Sequence, residues 1–385
     1  MIQMANPDVV IIGGGIIGCS CAYYLAKESL KVALVEKDSI CSEASKSCQG
    51  HLFLWELPAI NIKLAKASKK LYEQLYNELD IDFELRSTGS MSIAEKPEDL
   101  GTLQQTLNEL RQAGVECQLL DAKEFIKAEP NVARDIGGGA FFPEDGQLNP
   151  LLTTIALAQA AKKLGADIRP FTEVTDIELS ADKSSVVAVE TTKGKISTKY
   201  VVNAAGVWSG QIGQMVGINI PVVPRRGNLI VTEQVPDNII NCQVIIASGY
   251  LDSLKGESKV AVAANVQQTR ECNLLLGSSR EFTGFDKNVN PEVISLIAKR
   301  CIRFFPVLAE LNTIRSWAGL RPYSPDMLPI ISSSPIEGFY VASGHEGVGI
   351  TMGPITGKLI TQLITKQQLD LAVDQLSLER FAEKQ

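Results

Sequence analysis

The chain has 385 residues, 45% hydrophobic and 21% charged, with 30 glycines and 17 prolines, which is the balance of a globular enzyme and excludes a disordered or fibrous chain. A length well past about 250 residues predicts a core divided between two domains. A formal charge of -7 argues against a nucleic-acid partner, since no basic excess is available to replace counterions along a phosphate backbone.

The start, Met1-Ile2-Gln3, carries neither a basic n-region nor a cleavage site, and no apolar run approaches the roughly 20 residues that span a bilayer. A cytoplasmic location is the expectation. Asp8 to Ile12 is a short continuous apolar run, as expected of a parallel strand buried on both faces. GGGIIG follows it at once. Cys19 to Lys27 then has a helical pattern through Ala22, Tyr23, Leu25 and Ala26, and Lys31 to Glu36 reads as the next strand. Cys19 and Cys21 flank one residue near the helix start and so point to different faces. With no C-x-x-C pair among the eight cysteines, reduced thiols are expected and a metal or iron-sulfur site is not.

Ile60 to Leu79 and Leu103 to Ala113 are predicted amphipathic helices, the second ending at Gly114. Phe83 to Ala94, between them, is richer in strand formers and small turn residues. Leu151 to Leu164 is a predicted helix after the Asn149-Pro150 start signal, and Asp167 to Thr172 a strand. Val186 to Glu190 and Ile196 to Lys199 predict a hairpin around Lys193-Gly194, and Tyr200 to Ala205 another buried strand. Strand-like runs dominate from Pro221 to about Thr313, including Asn228 to Thr232, Val260 to Ala264 and Cys272 to Gly277. The chain closes with a strand at Gly338 to Ser343, a glycine-rich turn at Gly344 to Gly349 and a helix at Met352 to Ile364.

In GxGxxG, Gly13 permits the tight turn out of the strand, Gly15 lets the backbone approach a pyrophosphate, and Gly18 allows close helix-strand packing. N–H groups at the helix start, about Ile16 and Ile17, then face the anion. Glu36, at the end of the next strand, can accept hydrogen bonds from both ribose hydroxyls, and Lys37 follows it. These residues predict a Rossmann-type dinucleotide site without separating one dinucleotide from another.

Four blocks, VVIIGGGIIG with Glu36, VVNAAGVWS from Val201, WAGLRPYSPDMLPIIS from Trp317, and GHEGVGITMGPITGKLI from Gly344, resemble the D-amino-acid oxidase superfamily. This family of FAD-dependent amine and amino-acid oxidoreductases includes glycine oxidase, sarcosine oxidase and D-amino-acid dehydrogenase. The resemblance spans nearly the whole chain. It implies an α/β fold with a Rossmann-type FAD-binding domain (residues 1–85, 146–222 and 314–385) beside a mixed-sheet α+β substrate domain (residues 86–145 and 223–313). It also implies FAD contacts at Val174, Ala205, Gly206 and Trp208, and in the ribityl-pyrophosphate stretch at Ser42, Ser45, Lys46 and Gly50. A glycine-rich turn at a helix start suits the charge that develops on reduced flavin, which marks Gly347, Val348, Gly349 and Ile350.

In similar enzymes the arginine matching Arg321 receives the substrate carboxylate, and a planar guanidinium suits a bidentate grip. Its alternative is a salt bridge to Asp326. Tyr323 assists it or packs. His51 and His345, the two histidines, are candidates for orienting substrate or for hydrogen-bonded structure.

The stretch Ser42 to Pro58 departs from the commoner Ser-Gly-Arg-Asn-Ala-Gly-Gly form, so the flavin is expected to be non-covalent. This stretch and HEG are more similar to catalytic β-type subunits of heteromeric dehydrogenases acting on proline, hydroxyproline, opines or glycine, the last forming hydrogen cyanide. The implied reaction is hydride transfer from a small amino acid or secondary amine, sarcosine included, to flavin N5, giving an imine. Partner electron-transfer subunits and an FMN at a subunit interface are implied by the same resemblance. A self-sufficient, peroxide-forming oxidase and an electron-relay flavin subunit are the alternatives.

Overall fold

The computed structural model describes residues 6–55, 58–246 and 260–382; Met1-Ile2-Gln3, and Glu56 and Leu57 of the Ser42 to Pro58 stretch, lie outside them. The fold is α/β, a Rossmann-type unit beside a larger mixed sheet. In the first sheet the strand order is Ile330–Ser333, Phe339–Ser343, Tyr200–Asn203, Val9–Ile12, Val32–Val35, Asp167–Arg169. All neighbours are parallel except the first pair. Val9–Ile12 and Val32–Val35 are buried at every position, as strands covered on both faces must be.

One face is covered by the helices Ile16–Lys27, Ala59–Glu78, Pro150–Lys163 and Gly349–Thr365. The first and last of these helices cross closely because Gly353 and Gly357 lack side chains. A Cβ on Gly353 would stand 2.7 Å from Ile16 Cγ1, and one on Gly357 would stand 2.6 Å from Ser20 C. The other face packs on the antiparallel strands Val174–Leu179, Val186–Thr191 and Ile196–Ser197.

The second sheet has eight strands, in the order Thr313–Tyr323, Val223–Gln234, Asn273–Glu281, Val260–Gln268, Gln243–Ile246, Ser90–Ala94, Gly138–Phe142, Gln118–Asp121. Neighbours are antiparallel apart from Gln243–Ile246 beside Ser90–Ala94. The expected domain boundary at residue 314 therefore falls inside a strand of this sheet. The sheet's outer face buries Ile230, Leu274 and Leu276 against Val293, Ile297, Cys301 and Phe304 of the helix Pro291–Phe304. The strand-dominated expectation for 221–313 passes over this helix. Its start is nevertheless signalled by Asn290, whose side chain accepts from Glu292 N and Val293 N, with Pro291 at the first turn.

The inner face forms the wall of a cleft. Gly227 and Leu229, then Gly319 and Arg321, contribute by strand alternation. Leu276 and Ser278 share parity yet face opposite sides, because pairing register shifts at Arg226/Leu229 and Val262/Asn265 on the two flanking strands. The segment 42–50 joins the two sheets: Ser47 O accepts from Trp317 Nε1 at 3.2 Å, and Gly319 leaves space for the Ser47 side chain.

Candidate active site

The cleft runs between the two sheets, from the turn at Gly13 to Arg321 and His345. At its first end Gly13 has φ 114°, and a Cβ there would lie 2.4 Å from Ala204 O. The Gly13 turn can therefore press against the end of the Tyr200–Asn203 strand only as glycine. Gly18 packs equally tightly, 1.9 Å from Gly13 O for an added Cβ. Its role is helix-strand approach, and it does not line the cleft.

Glu36 is held at the mouth of this turn, its carboxylate accepting from Gly14 N at 2.7 Å and from Asp38 N at 2.8 Å. Ser45 Oγ accepts from Ile16 N at 3.0 Å, which places an oxygen where the helix start has an unsatisfied donor. Lys37 Nζ sits 3.3 Å from the ring centroid of Trp208, a cation-π contact. Val174, Ala205 and Gly206 border the same end, and Gly206, at φ 56°, leaves open space around its missing Cβ.

At the far end the helix Gly349–Thr365 starts without a side-chain cap, after Val348. Gly347, Gly349 and Ile350 line the cleft, whereas Val348 is buried in the core. A helix start of this kind directs donors and a positive dipole end toward a neighbouring ligand. Ser42 and Ser45 also line the cleft, but Lys46 is exposed outside it, and Gly50 is a packing glycine whose added Cβ would meet Leu148 O at 2.0 Å.

Arg321 is gripped from behind: Nη1 donates to Ser279 O at 2.8 Å and Nη2 to Ser278 Oγ at 3.2 Å. Gly227, on the neighbouring strand, makes room for the guanidinium, which would lie 2.2 Å from a Cβ there. The alternative partner, Asp326, is instead bound by Arg380 at 2.7 Å. Tyr323 does not line the cleft; its ring packs edge-on against Phe282 and beside the Arg225 guanidinium.

His51 lines the cleft with both ring nitrogens engaged, Nε2 2.6 Å from Gln267 Oε1 and Nδ1 2.7 Å from Gln243 Nε2. With these amide orientations Nε2 carries the proton. Burial drives its pKa down to about 3, against the raising effect of Gln267, so the ring is neutral. His345 is likewise neutral, lowered to about 3 by burial, with Nε2 3.0 Å from Thr356 Oγ1. Neither ring is poised to exchange a proton near neutral pH. Burial also pushes the Cys48 thiol up to about 12.

Arg280 and Glu346 were not singled out by the sequence, yet both line the cleft beside Arg321. No spacing signals Arg280, since cross-strand packing alone brings it there. Glu346 lies within the recognisable HEG, but only the fold shows its arginine neighbours. No group of three or more potential metal-ligating side chains occurs among the described residues.

A glycine turn at a helix start, an acid at the end of the next strand and a second sheet with an arginine-rich wall define a nucleotide-dependent enzyme with a cleft between two sheets. The chain belongs to the family described as FAD dependent oxidoreductase (DAO), which matches residues 8–363. It is an FAD-dependent oxidoreductase.

It is 30% identical to hydrogen cyanide synthase subunit HcnC of Pseudomonas protegens, over 99% of this chain and 97% of that protein. It is 29% identical to glycine oxidase of Geobacillus kaustophilus, over 98% of each. The crystal structure of L-proline dehydrogenase from P. horikoshii superposes with a TM-score of 0.89 at 27% identity, covering 98% of both chains. No helix among the described residues is long and apolar enough to cross a membrane.

Proposed function

We propose that this enzyme oxidises a small amino acid or secondary amine of the proline, hydroxyproline, sarcosine or glycine class to its imine, as the catalytic subunit of a heteromeric dehydrogenase. The observation that carries the reading is Arg321, held on the cleft wall beside Gly347 of the turn that leads into the uncapped last helix. A bidentate guanidinium suits a carboxylate, and its backing by Ser278 and Ser279 fixes where that carboxylate lands.

The residues fit a non-covalent FAD. Gly13, Gly15, Ile16 and Ile17 would cradle the pyrophosphate, with Ala205 and Gly206 opposite. Glu36 would hold the ribose, and Lys37, Val174 and Trp208 would border the adenine. Ser42 and Ser45 would meet the ribityl-pyrophosphate run, and Gly347, Gly349 and Ile350 the ring. When bound, the flavin supplies an acceptor for the hydride released from the substrate Cα–H.

The chain's own part is orientation and exclusion of water. Arg321 fixes the carboxylate, and the glutamine-bound His51 presents a fixed, neutral wall. Neither histidine accepts the amine proton, so the amine must arrive neutral. The functional division we propose keeps residues 1–85, 146–222 and 314–385 on the FAD side and 86–145 and 223–313 on the substrate side, with Thr313–Tyr323 contributing its cleft-facing residues to the substrate wall. A cytoplasmic location and an FMN at a subunit interface complete the reading.

The whole-length similarity to glycine oxidase favours a second reading, an oxidase that passes electrons to oxygen. Anaerobic addition of proline, hydroxyproline, sarcosine and glycine to the FAD-loaded chain separates the readings. Bleaching with slow return under air supports the dehydrogenase, and fast return with peroxide supports the oxidase. No bleaching by any of them favours an electron-relay subunit.

A further inference from the structure

The strand Val260–Gln268 buries Ala264 and Val266 in the core under the helix Pro291–Phe304. Alternation therefore points Asn265 and Gln267 to the inner face of the sheet. Gln267 is engaged by His51 Nε2 at 2.6 Å. Asn265 lines the cleft, is 6% exposed, and its Oδ1 has no hydrogen-bond partner among the described residues. A buried acceptor left without a donor costs free energy, which a donor on a ligand restores. A half-turn of the amide breaks no bond of that oxygen and presents it to the cleft.

Asn265 pairs with Gly277, and the next residue on that strand, Ser278, accepts from Arg321 Nη2 at 3.2 Å. The amide and the anchor of the guanidinium thus lie on adjacent strands, with a glycine beside them that adds no side chain. In an α-amino acid the nitrogen and the carboxylate share one carbon, so a group beside the carboxylate's seat meets the nitrogen. His51 Nδ1 is already engaged by Gln243 Nε2 at 2.7 Å. Gln49, tied to Leu275 O at 3.2 Å, holds its oxygen over Gly277, 2.8 Å from where a Cβ would stand. An arginine offers donors only.

We propose that Asn265 is a specificity-determining residue: its amide oxygen accepts a hydrogen bond from an N–H of the substrate amine, so that the cleft selects primary and secondary amines over tertiary ones. The inference rests on the reading that the substrate carboxylate docks at Arg321. An acceptor suits the chemistry, because it holds the N–H and leaves the nitrogen lone pair free to form the C=N bond as the hydride leaves Cα. A neutral tertiary amine has no N–H and would leave the buried oxygen unpaired, the situation in which a polar site rejects an analogue most strongly.

The test uses the FAD-loaded protein and two small acids of nearly equal shape, glycolate and propionate, which carry a hydroxyl and a methyl group respectively where the amine would sit. Dissociation constants are read anaerobically from the visible flavin spectrum. The wild type is expected to bind glycolate about fivefold or more tighter than propionate. Asn265→Leu, of similar size, should erase that preference while retaining FAD, and Asn265→Ala should do the same.

Glycolate binding no tighter than propionate in the wild type overturns the proposal, whether or not either variant keeps FAD. A preference that survives in a variant that keeps FAD overturns it as well. With amines, kcat/KM should be higher for sarcosine than for N,N-dimethylglycine, and Asn265→Leu should narrow that ratio by about fivefold or more. Arg321→Ala should weaken both acids together. Unchanged affinities there defeat the docking reading, and flavin that no amine reduces defeats the proposed reaction, while in either case the glycolate-propionate ratio in Asn265→Leu still decides the role of Asn265.

Discussion

Arg321 is held by a backbone carbonyl and a serine hydroxyl on the adjacent part of the sheet, so its removal should disturb substrate more than cofactor. Arg321→Ala is expected to cost about 3 kcal/mol of transition-state stabilisation, roughly 100-fold in kcat/KM, with FAD content unchanged. Arg321→Lys should recover little, because an ammonium cannot reproduce the planar fork. Stopped-flow reduction beside the flavin-to-protein absorbance ratio checks both, and equal loss of reduction and FAD would make the arginine structural.

A second expectation concerns protons. Burial lowers the pKa of both cleft histidines to about 3, so kcat/KM measured over roughly pH 6 to 10 should rise with the substrate amine's own ionisation. An inflection near pH 6.5 that does not move when the amine is changed would instead assign a histidine to catalysis.

Asp145, beneath the Trp55 side chain, is a third case. Burial raises its pKa to about 7, despite donors from Ser90, Leu54 N and Trp55. An acid raised in the folded state binds its proton there while the unfolded chain has released it. Its contribution to stability is thus fully present below about pH 4 and is lost as pH rises toward about 7. Denaturant unfolding of the wild type against Asp145→Asn should show the wild type losing ground across that window; a constant difference would contradict the assignment.

Among the elements, the pairing of helices Ile16–Lys27 and Gly349–Thr365 is the most exacting. Gly357 faces Ser20 so closely that Gly357→Val must push the helices apart, at a cost of about 1–3 kcal/mol. Calorimetry should show a lower Tm, and an unchanged Tm would mean the crossing is looser than the geometry states. The glycines at 13, 15 and 18 could be read directly because each answers a local demand for space or turn geometry at a strand-helix junction.

Arg280 could not be read that way. Its relation to Glu346 depends on register shifts that turn Ser278 and Arg280 to the cleft while Leu276 stays in the core. The helix Pro291–Phe304 had a readable start and an apolar stripe, Val293, Ile297, Cys301 and Phe304. Its missed recognition reflects the surrounding strand-rich context and no lack of local signal. Lys46, Gly50 and Val348 lie next to cleft-lining residues in the chain, yet exposure or packing takes each of them away, a distinction that adjacency in sequence cannot make.

For the whole molecule, the cleft is built by both sheets and by the 42–50 segment that crosses between them. A ligand filling it contacts parts of the chain that are far apart in sequence and binds only the folded form. FAD should therefore raise thermal stability by mass action, by about 2.7 kcal/mol when free FAD is at 100 times its dissociation constant. Thermal unfolding across an FAD titration checks this, and a Tm independent of FAD would separate cofactor binding from the assembled cleft.

The position of the strand Phe339–Ser343 and of the helix after it also bears on biosynthesis. This strand lies beside Tyr200–Asn203 in the nucleotide-binding sheet, and the helix rests on the one that follows Gly13. During translation the glycine turn emerges from the ribosome well before its supporting layer. Stable flavin capture must therefore wait until this strand and helix have been made, and nascent chains halted before residue 339 should emerge without tightly held flavin.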